Sequence, residues 1–137
     1  MLHLATRTGG SFIPAQLRFE RENELRWTGF ESTQAMLSDG LVAAAIVEGH
    51  VVAIAHTSAR SRDYADIGVG TLEPWRNRGF SSAAAALVAQ KIQEAGQVPV
   101  WNTGEGNYAS LRVAEKLGFT REGLLTYVIL QPERKVL

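Results

Sequence analysis

Two apolar runs, LVAAAIV at 41–47 and VVAIAHTS at 51–58, stand only three residues apart, and no other feature of the chain constrains its fold as tightly. The connection Glu48-Gly49-His50 is short and contains a glycine, so the runs read as the two strands of an antiparallel hairpin. Neither run alternates apolar with polar residues. Strands of that kind are buried on both faces, which requires a layer of chain on each side of the sheet. A third strand is predicted at YADIGVGTL (64–72), after the polar break ARSRD. Glu73-Pro74 ends it, because proline has no N–H to donate to a ladder.

Helical periodicity takes over next. Ala84, Leu87, Val88, Lys91, Ile92 and Ala95 fall on one stripe, and Gly96 is a stop signal. Four consecutive alanines favour helix and leave room for close approach to a sheet. VPVW (98–101) reads as a short strand. Residues 107–117 read as a second helix, with Asn107 as N-cap and Gly118 as the glycine after its end. GLLTYVIL (123–130) is predicted as a closing strand. The first forty residues are the least legible: a strand at 2–5, a helix at 16–27 rich in Glu and Arg, and a short helix at 32–37 before the turn signal Asp39-Gly40. The order β-β-β-α-β-α-β implies an α/β fold, a mixed sheet with helices packed on it. No linker, repeat or low-complexity tract interrupts the chain, so residues 1–137 are expected to form one domain.

Composition narrows the function. With 137 residues, 45% of them apolar and 20% charged, the chain can bury one core. Its formal net charge of zero gives no electrostatic reason to expect nucleic acid or an anionic membrane as partner. The absence of cysteine excludes disulfides, thiolate metal sites and a cysteine nucleophile. His3, His50 and His56 are too scattered for a metal site. No apolar run approaches the ~20 residues of a membrane span, and the N-terminus lacks a secretion signal, so a cytoplasmic location is expected.

The chemistry concentrates in Arg76-Asn77-Arg78-Gly79-Phe80-Ser81-Ser82, between the third strand and the long helix. A helix N-terminus presents unpaired N–H groups and a partial positive charge. Gly79 lets the backbone approach a ligand, Arg76 and Arg78 add charge, and Ser81 and Ser82 add donors. Phosphate or pyrophosphate suits such a place. Read by itself, the loop is equally a basic start to a helix that binds nothing. GxxxxGK[ST] and GxGxxG are both absent, which argues against a P-loop or a Rossmann dinucleotide site.

The spacing Arg76-x-x-Gly79-x-Ser81 resembles the (Gln/Arg)-x-x-Gly-x-(Gly/Ala) signature of the GNAT N-acetyltransferases, with Ser81 in place of the usual glycine or alanine. NYASLRVAEKLGF (107–119) resembles the same family's N-x-x-(S/A) helix ending in Gly-Phe. The likeness covers about residues 41–129. It implies a mostly antiparallel central sheet with a splayed strand pair and helices on both faces. It also divides the chain into a cofactor-binding core at 41–130 and an acceptor-side segment at 1–40. The implied activity is transfer of an acetyl group from acetyl-CoA to a primary amine of a small molecule or peptide, in a ternary complex, with CoA as product.

By that resemblance the pyrophosphate lies on the loop Arg76, Asn77, Arg78, Gly79, Phe80, Ser81 and Ser82. The pantetheine arm pairs with the strand end at Thr71, Leu72 and Glu73, where Gly68 and Gly70 weaken the ladder as a bulge does, and an N–H of Thr71 or Leu72 faces the thioester oxygen. Asn107, Ser110 and Arg112 line the cofactor from the second helix. Asp66 is the first candidate for general base and Tyr127 a further catalytic candidate, each with a plainer reading as a solvated strand-end carboxylate and a core tyrosine. Glu31, Glu105 and His56 are lesser candidates for base. Relatives carry a tyrosine, able to protonate the leaving thiolate, where this chain has Ala114. That departure keeps a second reading open, a catalytically silent acyl-CoA-binding module, and a short acceptor side suggests completion by a second copy of the chain.

Overall fold

The computed structural model describes residues 2–7, 35 and 38–126. Five strands form one sheet in sequence order: β1 (Leu2–Arg7), β2 (Val42–Val47), β3 (His50–Arg60), β4 (Tyr64–Thr71) and β5 (Val98–Val100). The first four are antiparallel to their neighbours, and β5 alone runs parallel to β4. The β2–β3 hairpin turns on Glu48 and Gly49, whose φ of 50° and 80° are both left-handed, as a tight two-residue turn requires. His50 therefore belongs to β3 rather than to the connection.

Burial matches the continuous apolar pattern. Ala43, Ala45, Ala53 and Ala55 are each at most 2% exposed, and so are Val52 and Ile54. Two register shifts interrupt β3, one opposite Ala45 and Ile46 and one between Thr57 and Ala59, which leaves Ser58 as an extra residue opposite β4. Here the structure corrects an expectation. Gly68 and Gly70 pair regularly with His56 and Ile54, and the bulge lies on the neighbouring strand instead.

A 3₁₀ turn (Glu73–Trp75) leads from β4 to α1 (Phe80–Glu94). Ala84, Ala85, Val88 and Ile92 of α1 are buried against Leu41, Ala43, Ala55, Ala65 and Ile67 of the sheet. The small alanines bring the helix close enough for Val88 and Ile92 to reach into that core. The predicted stripe holds through Ile92, while Ala95 caps the helix and is exposed.

The second helix, α2 (Tyr108–Lys116), is capped at both ends. Asn107 Oδ1 accepts the Ser110 N–H at 3.2 Å. At the other end Gly118, with φ 89°, lets the Phe119 N–H reach the Ala114 carbonyl and its own N–H reach that of Glu115, a Schellman closure. The predicted closing strand is not found in its described part. Residues 121–126 are irregular and exposed, Leu124 and Leu125 at 73% and 72%, because among the described residues nothing pairs with them. Tyr127, Glu31 and the predicted helix at 16–27 lie outside the described residues. Of the short helix at 32–37, Ala35 is helical, and so are Ser38 and Asp39 just beyond it.

Candidate active site

The sheet opens where β4 and β5 part. Their ladder lasts three pairs, Tyr64↔Val98, Ala65↔Pro99 and Asp66↔Val100. Trp101 then turns away, its indole N–H donating to Ser110 Oγ at 3.0 Å and its ring tilted against Phe119 with centroids 5.5 Å apart. From Ile67 onward, β4 has no strand partner on that side among the described residues. The wedge so formed is a cleft of about 340 Å³, lined by the stretch 67–70 of β4, by Ile54 and His56 of β3, and by Trp101, Asn102, Thr103, Asn107 and Ser110.

Backbone groups face this wedge in a fixed order. The Leu72 N–H donates to the Val52 carbonyl at 2.9 Å, toward β3. Successive N–H groups of an extended strand alternate between its edges, so the Thr71 and Val69 N–H groups point to the open side. The expectation for Thr71 or Leu72 narrows to Thr71, because the Leu72 donor is already used. On the same edge the Thr71 carbonyl accepts from Arg76 Nε at 3.2 Å.

The loop 76–82 follows the end of β4 and the 3₁₀ turn. Asn77 and Gly79 both adopt left-handed φ, 60° and 80°, and Gly79 is the N-cap of α1. No side chain caps that helix, so the amides of its first turn are left for a ligand or for water. The Thr71 and Ser81 hydroxyls hydrogen-bond to each other and tie the strand end to the helix start. Arg78 lies 5.0 Å over the Trp75 ring, and Trp75 packs on Phe80 at 6.0 Å. Both arginines are thus held at the mouth while remaining exposed. Glu73 is exposed in the 3₁₀ turn and Ser82 half-buried on α1.

Across the wedge, Asn107 at the N-cap of α2 and Ser110 within it line the cleft, and the Asn107 Oδ1 is also the helix cap. Arg112 is exposed and outside the lining. Two residues from Ser110 is about 200° around a helix, so one face cannot present both. Ala114 is buried, 7% exposed, and brings no hydroxyl. Glu105 is exposed in the preceding loop.

Asp66 sits at the point where the strands part. Ser58, the bulge residue, donates to its Oδ2 at 2.6 Å, and Asn102 Nδ2 donates to its Oδ1 at 3.0 Å. Each carboxylate oxygen is therefore engaged. His56, rated below Asp66 on sequence, is 5% exposed, and its Nδ1 is buried with no hydrogen-bond partner. Burial holds its pKa below the usual imidazole value, against smaller upward pulls from the Thr57 backbone and the Asp66 carboxylate. A Cβ on Gly68 would lie 2.7 Å from His56 Cε1 and 2.9 Å from Nε2, so the glycine is what admits the ring. Sequence reasoning tied Gly68 to the ladder and missed this pairing; the only available signal was a glycine within a strand, which marks close approach without saying of what.

The pattern of the GNAT acetyltransferases matches residues 15–128. The chain belongs to the GNAT acetyltransferase family. Among solved structures, a GCN5-related N-acetyltransferase-like protein from Streptococcus suis is 30% identical, with a TM-score of 0.58 over 65% of this chain. The chain spans only 35% of that protein's length. The aminoglycoside N-acetyltransferase AAC(6')-Iy, bound to the bisubstrate analogue CoA-S-monomethyl-acetylneamine, superposes over 95% of this chain and 99% of its own, with TM-score 0.63 and 17% identity. A ribosomal-protein-alanine N-acetyltransferase from Brucella melitensis covers 70% of this chain and 75% of its own, with TM-score 0.57 and 17% identity. The last two likenesses show the fold alone. No curated protein sequence matches the chain significantly. Among the described residues no cluster of His, Asp and Glu is suited to a metal ion, and no helix is long and apolar enough to cross a membrane.

Proposed function

We propose that this GNAT acetyltransferase moves an acetyl group from acetyl-CoA to a primary amine of a small molecule or peptide, by direct attack of the amine while both are bound. The observation that carries the reading is the wedge between β4 and β5, where among the described residues backbone donors are left open on one edge, near a helix start that no side chain caps. An extended amide-bearing arm pairs with such an edge as an added strand does, and a pyrophosphate fits the amides of 79–82. When bound, acetyl-CoA supplies the acetyl group already activated as a thioester.

The chain's own groups then have distinct tasks. The Thr71 N–H is a preoriented donor for a carbonyl oxygen that gains negative charge, the kind of interaction that lowers a barrier most. Asn107 and Ser110 hold the arm from the opposite wall. Asp66, fixed by Ser58 and Asn102, places negative charge beside the cleft and draws a cationic amine toward it. Trp101 closes the inner end and limits water. The N-acetyltransferases with similar folds act on an aminoglycoside and on a ribosomal protein, so a small-molecule and a peptide acceptor are both consistent with the architecture. The silent acyl-CoA-binding reading is favoured by one observation, the buried Ala114 in place of a hydroxyl-bearing acid.

Thiol release from acetyl-CoA, followed across a panel of small amines and peptides, separates the two. An acetyltransferase releases CoA faster with at least one amine; a binding module holds acetyl-CoA and releases none. Calorimetry with Gly79→Glu tests the loop. The carboxylate is placed where a phosphate is to bind, and loss of about 1.5–3 kcal/mol of charge-assisted bonding weakens acetyl-CoA by roughly tenfold or more. Wild-type affinity in that variant removes the loop from the site.

A further inference from the structure

His56 is a buried polar residue whose Nδ1 the fold leaves without a hydrogen-bond partner. That nitrogen is sealed off, and a buried polar atom left so destabilises the fold. The ring sits on the cleft wall, with its Cε1–Nε2 edge over Gly68, and both residues line the wedge. Nε2, the nitrogen that is not sealed off, lies on the ring edge beside Gly68 at the cleft wall.

We propose that His56 is the proton acceptor for the incoming amine, and that Gly68 is the residue that keeps the imidazole in the cleft wall. The inference rests on the acetyltransferase reading above. The proton balance closes without any further acid. Neutral His56 takes one proton from the bound ammonium at Nε2. The freed amine nitrogen forms its bond to the acetyl carbon as the carbon–sulfur bond breaks. The second N–H proton leaves with the departing sulfur, giving the amide and CoA thiol, and the imidazolium returns its proton to solvent. A tyrosine at position 114 is not needed in this sequence of steps.

The surroundings keep the ring neutral and therefore ready. Its partner on β2 is Val42, and its partner on β4 is Gly68. The facing wall contributes Asn102, Thr103, Asn107 and Ser110, none of them ionisable. Among the described residues Asp66 on β4 is the charged group acting on it, and that effect is smaller than desolvation. Asp66, with both oxygens engaged, serves as a positioning residue that favours the imidazolium once it forms.

The test uses the full chain, saturating acetyl-CoA and an amine that releases CoA in the wild type. His56→Gln keeps size and polarity but cannot accept the proton. It is expected to lower kcat by about 100-fold or more, the contribution of a positioned base, with the Kd for acetyl-CoA changed less than about twofold. The wild-type kcat falls at acid pH with a midpoint below 6.5, and the variant loses that limb. Gly68→Ala, which displaces the ring, gives the same kcat loss. In NMR of the ligand-free protein, wild-type His56 Cε1 titrates below 6.5. Wild-type kcat with the acid limb intact in His56→Gln overturns the assignment, and so does a His56 titration midpoint above 6.5. If the glutamine variant fails to fold, the alanine at 68 and the titration decide. A wild type that binds acetyl-CoA but transfers to no amine overturns the acetyltransferase reading and this inference with it, an outcome distinct from an active but His56-independent enzyme.

Discussion

Single residues of this chain carry a pH signature that needs no substrate. His56 is folded in a neutral form, with its pKa depressed by burial. Below about 6.5 the unfolded chain binds a proton there that the folded chain does not. Stability is therefore fully present above 6.5 and is lost as pH falls toward and through the folded value. Thermal melts between pH 7.5 and 5.5 are expected to show Tm falling, with a shallower fall in His56→Gln. Equal slopes would mean that the ring takes up its proton at the same pH in the folded and unfolded chain. Glu94, held below the usual carboxylate range by Lys91, titrates well under this window and does not confuse it. At this scale the sequence was only partly informative. Arg76, Gly79, Asn107 and Ser110 stood at recognisable spacings, but a lone histidine in an apolar run looks the same whether its nitrogens are satisfied or not.

At the scale of elements, legibility followed local signals. The β2–β3 hairpin, β4, α1 and α2 each carry their instructions within a few residues: a turn glycine, a proline stop, an alanine-rich stripe, a cap and a C-terminal glycine. The bulge at Ser58 could not be read, because it depends on how β3 pairs with β4 and not on Ser58 itself. Asn107 shows how one side chain can serve an element and a ligand together. Asn107→Ala removes the cap and is expected to cost about 1 kcal/mol in urea unfolding, and it also weakens acetyl-CoA binding. Asn107→Asp keeps a capping oxygen but loses the amide donor, so stability returns while affinity does not. Recovery of both would make Asn107 a cap and nothing more.

For the whole molecule, the wedge belongs to the same cooperative unit as the described core. The sheet from β2 to β4 with α1 on one face forms the continuous core, and the wedge is cut into its margin where β5 leaves after three pairs. Binding to this folded margin must stabilise the fold as a unit. Acetyl-CoA at a hundredfold excess over its Kd adds about 2.7 kcal/mol, several degrees in Tm for a chain of this size. A Tm independent of acetyl-CoA would place any binding outside the cooperative core. The acceptor side was the least legible part of the sequence, since specificity for an amine is written in scattered side chains rather than in a motif.

The three-pair ladder has a kinetic corollary. Trp101 is pinned by Ser110 and Phe119, so β5 cannot zip further along β4 and shut the wedge in the absence of ligand. A slot kept ajar by its own wall spends no free energy on being pried open. Association then proceeds as a single encounter, and stopped-flow rates should rise linearly with acetyl-CoA concentration. Ser110→Ala together with Phe119→Ala frees the indole, allows the zipper to close, and should bend that line toward a plateau set by the reopening rate.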